Sequence, residues 1–66
     1  MKLMVNGDES EFVDGITVRE LLEKLGLWGQ FVAVECNYNI VPYKEFSSAK
    51  LYDGDVLELV TLVGGG

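Results

Sequence analysis

One amphipathic helical segment constrains the fold of this chain more than any other feature. Between Thr17 and Gly26, apolar residues recur at positions i, i+3, i+4 and i+7, so they form a single stripe along a helix. These residues are Val18, Leu21, Leu22 and Leu25. Thr17 and Glu20 have the spacing of a capping box, and Gly26 supplies a stop signal. In a chain of 66 residues, one such helix needs a single sheet to cover its stripe, which predicts a two-layer α+β domain.

The remaining apolar segments are short and alternate as β-strands do. Residues 31–36 place Val32, Val34 and Cys36 on one face, and the Asn-Gly-Asp sequence at residues 6–8 predicts the turn of an antiparallel hairpin. The predicted strands cover residues 2–6, 10–13, 31–36, 40–41 and 55–63, and a mostly irregular connection with one helical turn near Glu45 covers residues 43–55. This order of elements fits a β-grasp arrangement, in which one mixed sheet packs on one helix.

The last predicted strand combines a core face with an apolar face that has no obvious cover. Its alternation places Leu57 and Leu59 on the face that meets the helix. The opposite face then carries Glu58, Val60 and Leu62. We predict that these three residues form a partner interface; the alternative is that a loop or another copy of the chain covers them.

Three glycines follow that strand, and we divide the chain into a domain over residues 1–63 and a flexible tail over residues 64–66. Gly64, Gly65 and Gly66 add no side chain to a core, and glycine loses the most backbone entropy on ordering. Three extended residues reach about 10 Å and fit a channel that any Cβ would obstruct. The alternative is a frayed end without function.

The group that such a tail delivers is the α-carboxylate of Gly66. A carboxylate becomes electrophilic when a partner enzyme joins it to AMP from ATP, with Mg²⁺ neutralising the phosphates. Attack by sulfur on the acyl adenylate then leaves a thiocarboxylate. In this interpretation the folded domain serves to present its own C-terminus to partner enzymes.

Composition and charge exclude several other classes of function. Eleven acidic and five basic residues give a net charge of −6, which repels a nucleic-acid backbone and suits either a basic protein surface or solubility alone. Because the chain has no histidine and no His/Cys cluster, it lacks the residues of a self-sufficient enzyme or a zinc site. No apolar run approaches the ~20 residues of a membrane span, so we expect no membrane partner and a cytoplasmic location. Cys36 is expected to be a buried, unreactive thiol; the alternative is a reactive one.

Four stretches of the sequence together resemble the ThiS family of sulfur carrier proteins of thiamin biosynthesis, which has a ubiquitin-like β-grasp fold. They are VNG, TVRELLEKLGL, VAVECNYNIVP and DGDVLELVTLVGGG, and they cover nearly the whole chain. The resemblance implies that Gly65 and Gly66 are the carrier's terminal diglycine. It further implies that a ThiF-like adenylyltransferase activates Gly66 with ATP and Mg²⁺, that a sulfur donor protein supplies the sulfur, and that thiazole synthase accepts it. The chain itself would bind no cofactor and have no catalytic residues.

The sequence departs from the family pattern at two positions and leaves other functions open. Tyr43 stands where the family commonly has arginine, and Phe46 where it often has tryptophan. Trp28 either caps the core or contacts a partner. The alternatives to a thiamin-type carrier are the small subunit of a molybdopterin-synthase-type complex, a ubiquitin-like modifier joined to lysines, and an interaction module whose tail has no chemistry.

Overall fold

The computed structural model describes residues 1–62 as one five-stranded sheet with one helix. The elements are β1 (Lys2–Val5), β2 (Asp8–Glu11), α1 (Val18–Lys24), β3 (Val32–Cys36), β4 (Asn39–Val41), a short 3-10 helix (Tyr43–Glu45) and β5 (Val56–Thr61). The strand order is β2-β1-β5-β3-β4. The β1–β5 pair is parallel and the other pairs are antiparallel, so the sheet is mixed. The predicted α+β, β-grasp architecture is confirmed.

Both hairpins turn through two residues with positive φ. Asn6 and Gly7 have φ values of 49° and 86° between β1 and β2, and Asn37 and Tyr38 have 51° and 69° between β3 and β4. Positive φ at both central positions is the requirement of the tight turn whose twist matches that of a hairpin. The predicted antiparallel hairpin is therefore confirmed. Its second strand begins at Asp8, two residues earlier than predicted, because the turn needs only two residues.

The helix begins and ends as its sequence predicts. The Thr17 hydroxyl accepts a hydrogen bond from the Glu20 N–H, and the Glu20 carboxylate accepts one from the Thr17 N–H, which completes the capping box. At the other end, the Leu27 N–H donates to the Leu22 carbonyl at 2.8 Å and Gly26 has φ of 73°. These are features of a glycine-terminated C-cap.

One residue of the predicted apolar stripe does not reach the core. Val18, Leu21 and Leu22 are buried, whereas Leu25 is 41% exposed. The helix ends at Lys24 and Leu25 is its C-cap residue, so the periodicity that would place Leu25 beneath the helix no longer applies to it. Our prediction for Leu25 is wrong for this reason.

A single apolar core fills the space between the sheet and the helix. It comprises Leu3, Ile16, Val18, Leu21, Leu22, Val34, Phe46, Leu51, Leu57 and Leu59. Val34, Leu57 and Leu59 thus face the helix, as predicted. Cys36 packs against this core but is only partly buried. Within residues 1–62, no helix is long and apolar enough to cross a membrane.

The capping box allows a prediction of how the free energy of unfolding depends on pH. Hydrogen bonds from the Thr17 backbone N–H and then from its hydroxyl hold the pKa of Glu20 below its ordinary value. Because the folded-state pKa is lower than the unfolded one, the carboxylate stabilises the fold above the unfolded pKa, and this contribution is lost as the pH falls through the folded pKa. We expect Glu20→Gln to lower the free energy of unfolding at pH 7 and to lose this effect near pH 3, measured by urea unfolding.

The matched control for this prediction is Glu11→Gln. Glu11 is exposed on β2, and its side chain makes no ion pair or hydrogen bond with the residues that the structure describes. We expect this variant to differ little from the wild type at either pH. A deficit in Glu20→Gln that is equally large at pH 3 and pH 7 would show that the ionised carboxylate is not the stabilising group.

Candidate functional site

The strand that leads to the glycine tail lies in the centre of the sheet. β5 is hydrogen-bonded to β1 on one side and to β3 on the other. The tail predicted to carry the chemistry, Gly64, Gly65 and Gly66, lies outside the described residues, as does Val63. The structure therefore describes the strand that precedes the tail and the surfaces around that strand.

Two asparagine side chains bind the backbone of β5. Asn6 accepts a hydrogen bond from the Leu59 N–H at 2.7 Å and donates one to the Leu59 carbonyl at 3.1 Å, so its amide pairs with β5 where β1 has ended. Asn37 accepts from the Val56 N–H at 3.0 Å and donates to the Asp55 carboxylate at 3.0 Å. Asn37 therefore holds the first residue of β5, and Asn6 holds the middle of the strand.

Neither of these two side-chain roles was predicted from the sequence. The predicted place of Asn6 in the turn is confirmed by its positive φ, but a partner for its side chain was not predicted. The available signal was an asparagine at the first residue of each hairpin turn, since a side-chain amide there can replace a missing backbone partner. The partner strand itself lies 53 residues away from Asn6 and is not visible from local pattern.

The sheet face opposite the helix carries part of the predicted partner interface. Glu58 and Val60 are exposed there, as their alternation with Leu57 and Leu59 predicts. Residues in register across the sheet extend the same face: Ala33 pairs with Val60, and Glu35 pairs with both Glu58 and Ile40. The surface therefore combines three apolar residues, Ala33, Ile40 and Val60, with an adjacent pair of glutamates.

The glutamate pair on this face opposes like charges. Glu35 and Glu58 are direct cross-strand partners, and directly opposed like charges destabilise a sheet. Both side chains are exposed, and neither forms an ion pair with a described residue. A basic group from another molecule would relieve the repulsion between them.

Leu62, the third predicted interface residue, has a different setting. It lies just after β5, and its N–H donates to the Phe31 carbonyl at 2.7 Å. Its exposed side chain lines a groove of about 420 Å³ that reaches Leu22 of the helix, rather than only extending the sheet face. Strand alternation does not fix a side chain beyond the last strand residue, so the sequence did not reveal this groove.

Aromatic residues form one wall of the groove. The rings of Trp28 and Tyr43 lie nearly parallel, with centroids 6.1 Å apart, and Tyr43 makes an edge contact with Phe46 at 5.4 Å. The Arg19 guanidinium carbon lies 4.5 Å from the centroid of the Trp28 ring, within the range of a cation–π contact. Trp28 packs against the core, as one of its two predicted roles requires, and Phe46 is a core residue.

The chemistry available to the described side chains is limited. Among residues 1–62, no group of three or more His, Cys, Asp or Glu residues has an arrangement suited to a metal ion. Partial burial, and after it the nearby Asp55 carboxylate, raises the pKa of the Cys36 thiol. A raised pKa keeps this thiol protonated at neutral pH, which makes it a poor nucleophile and a poor site for carrying sulfur.

Comparisons with known proteins agree on one family. The model of the ThiS family matches residues 3–66. The chain is 35% identical over 65 residues to the sulfur carrier protein ThiS of Bacillus subtilis, covering 97% of this chain and 98% of that protein. It is 32% identical to the sulfur carrier protein ThiS of Escherichia coli over the full length of both.

Two further matches concern a longer protein and a solved structure. The whole chain is 46% identical to a part of the thiazole synthase of Paramagnetospirillum magneticum, and it spans only 20% of that protein's length. Among solved structures, the crystal structure of the thiamine biosynthesis protein ThiS from Geobacter metallireducens superimposes with a TM-score of 0.85 at 33% identity, covering all of both chains. At that identity and coverage, the match extends to both the sequence and the fold.

Proposed function

The chain belongs to the ThiS family, and on that premise we propose that it is a sulfur carrier whose Gly66 carboxylate is converted to a thiocarboxylate for thiazole formation in thiamin biosynthesis. The observation that carries the proposal is the match of the chain, through Gly66, to sulfur carrier proteins of similar length. The chain acts as a donor substrate and not as an enzyme, as the names of these relatives indicate.

The proposed chemistry takes place on the terminal carboxylate inside partner enzymes. A carboxylate oxygen of Gly66 attacks the α-phosphorus of ATP, pyrophosphate leaves, and an acyl adenylate forms. A hydrosulfide equivalent from the sulfur donor then attacks the carbonyl carbon, and the carbon–oxygen bond to AMP breaks with AMP as the leaving group. Loss of the S–H proton leaves the thiocarboxylate. ATP and Mg²⁺ belong to the adenylating enzyme, where the metal neutralises the phosphates. The chain contributes reach, since glycine offers no side chain to obstruct a narrow channel.

The proposed partners are a ThiF-like adenylyltransferase, a sulfur donor protein and thiazole synthase, all in the cytoplasm. Thiazole synthase has direct support, because a protein of that name contains a segment 46% identical to this whole chain. The protonated Cys36 thiol supports the terminus, rather than the cysteine, as the sulfur-carrying group.

The proposal is tested by the intact mass of the protein after incubation with ATP, Mg²⁺, a sulfur donor and a ThiF-like adenylyltransferase. We expect a gain equal to the mass difference between sulfur and oxygen. An unchanged mass with an enzyme that is active on its own carrier would contradict the proposal. A mass gain that corresponds to a lysine conjugate would favour a protein modifier instead.

We further propose that the sheet face around Val60 and Glu58 docks the partner enzymes. Val60→Ser should weaken binding to the adenylyltransferase or to thiazole synthase about fivefold, because it makes the centre of the apolar area polar. The measurement is the Kd of each complex by calorimetry. Glu58→Gln should slow association if the docking surface of the enzyme is basic.

The matched control is Val13→Ser, since the exposed fraction of Val13, 64%, is similar to the 56% of Val60, and Val13 lies outside this face. We expect its complexes to keep the wild-type Kd. Equal Kd values for all variants with both enzymes would show that the sheet face is not an interface.

A further inference from the structure

The groove beside Leu62 is an uncovered, mostly apolar feature of the described structure that the proposed function does not use. Its walls are Leu22, Trp28, Gly29, Gln30, Phe31, Val32, Tyr43, Phe46 and Leu62, none of which is charged. Phe31 is 80% exposed, and Tyr43 and Leu62 are also mostly exposed. An uncharged, aromatic-lined groove on a chain of net charge −6 is a distinct surface.

The position of the groove limits which molecule can cover it. Only residues 63–66 separate Leu62 from the Gly66 carboxylate, and four extended residues span at most about 14 Å. This step rests on the proposed function, in which an enzyme surrounds that carboxylate. An enzyme that encloses a group within about 14 Å of Leu62 has to approach this end of the domain.

The walls of the groove are held in place before any partner binds. Leu22 and Phe46 form a buried floor, and Trp28 is fixed by the Arg19 guanidinium and by the parallel ring of Tyr43. A surface whose side chains are already ordered loses little conformational entropy on binding, and this favours affinity. Aromatic walls also pair well with another aromatic ring, in offset or edge-on geometry.

We propose that this groove receives an apolar, preferably aromatic, side chain of the adenylyltransferase, placed beside the channel that takes the tail. The contact sets where the tail leaves the domain relative to ATP. It is separate from the sheet face around Val60, because its walls come from the helix, the segment that begins with the 3-10 helix, the connection before β3, the first residue of β3 and the residue after β5.

The first test measures the KM of a ThiF-like adenylyltransferase for the carrier. Pyrophosphate release is the assay for adenylation. Phe31→Ser should raise this KM about tenfold or more, the effect of removing a central aromatic contact, and should leave kcat nearly unchanged. The control is Tyr52→Ser, since Tyr52 is also an exposed aromatic residue, at 67%, but precedes the other end of β5. We expect its KM to stay within about twofold of the wild type.

The second test uses Trp28, the single tryptophan of the chain, as a reporter. Incorporating 5-fluorotryptophan gives one ¹⁹F resonance, and adding unlabelled adenylyltransferase should shift it in the wild type and in Tyr52→Ser. Tyr43→Ser, which removes the ring parallel to Trp28, should weaken the complex as Phe31→Ser does.

These outcomes separate this inference from the proposed function. If the wild type is adenylated, but Phe31→Ser and Tyr43→Ser keep the wild-type KM and the ¹⁹F resonance stays in place, the groove is not a docking site and the carrier function stands. If an active adenylyltransferase does not modify the wild type at all, both the carrier function and the groove contact are overturned.

Discussion

Removal of Gly66 is expected to abolish formation of both the acyl adenylate and the thiocarboxylate. The new terminal carboxylate would belong to Gly65 and would stop about 3.5 Å short of the reacting position. A displacement of 1 Å can already cost about a hundredfold in rate, so we expect a loss beyond the detection limit of intact-mass analysis. Measuring the mass after incubation with the adenylyltransferase, ATP, Mg²⁺ and a sulfur donor checks this result.

The deletion has to be shown to act on chemistry and not on folding. The ten buried core residues all lie between Leu3 and Leu59, so the deletion should leave the urea midpoint and the circular dichroism spectrum unchanged. A Gly66→Ala variant keeps the carboxylate at full reach and adds only a Cβ, and its loss of activity would report a narrow channel. Thiocarboxylate on the shortened protein would contradict the proposed role of Gly66.

Replacing Leu57 by alanine is expected to cause the largest loss of stability. Leu57 is fully buried at the centre of the sheet, with Val5 opposite it on β1 and Cys36 on β3. Such a truncation costs about 2–5 kcal/mol. A domain of this size has about 3–10 kcal/mol in total, so the variant should lose a large share of it. We expect the urea midpoint to fall sharply and Tm to drop by about 8 °C or more.

The control for Leu57→Ala lies on the same strand. Val60→Thr keeps the shape and strand preference of an exposed residue, so the free energy of unfolding should change by no more than about 0.5 kcal/mol. Equal losses in the two variants would mean that strand preference, rather than core packing, determines the effect at Leu57.

Local signals in the sequence predict the elements well but not their pairing. The capping box of Thr17 and Glu20 and the Asn6-Gly7 turn involve residues at most three positions apart, and both are confirmed. The parallel pairing of Met4 with Val56 joins the two ends of the chain, and no local pattern encodes it.

The contacts in the candidate site were even harder to predict from local sequence patterns. Trp28 and Tyr43 each attracted attention in the sequence, but their stacking, and the groove they line with Leu62, depends on the tertiary fold. The role of the glycines stays a prediction from the sequence, and it needs no fold to define it because the proposed chemistry is that of a terminal carboxylate. Predicting a partner surface requires the fold, whereas predicting the proposed reacting group does not.

The two hydrogen bonds between the Asn6 side-chain amide and the Leu59 backbone, here called the amide clamp, affect how this domain withstands mechanical load. An enzyme that draws the tail into a channel pulls along β5, which is bonded to neighbours on both sides. A force along a central strand loads many hydrogen bonds at once, whereas a force on an edge strand peels them singly. Between Leu59 and the tail, Leu62 is bonded to Phe31 and Thr61 pairs with Val32, so a pull on the tail loads these contacts together with the amide clamp of Asn6. In the proposed function, the tail that an enzyme holds therefore continues from a strand that is bonded on both sides rather than from an edge strand.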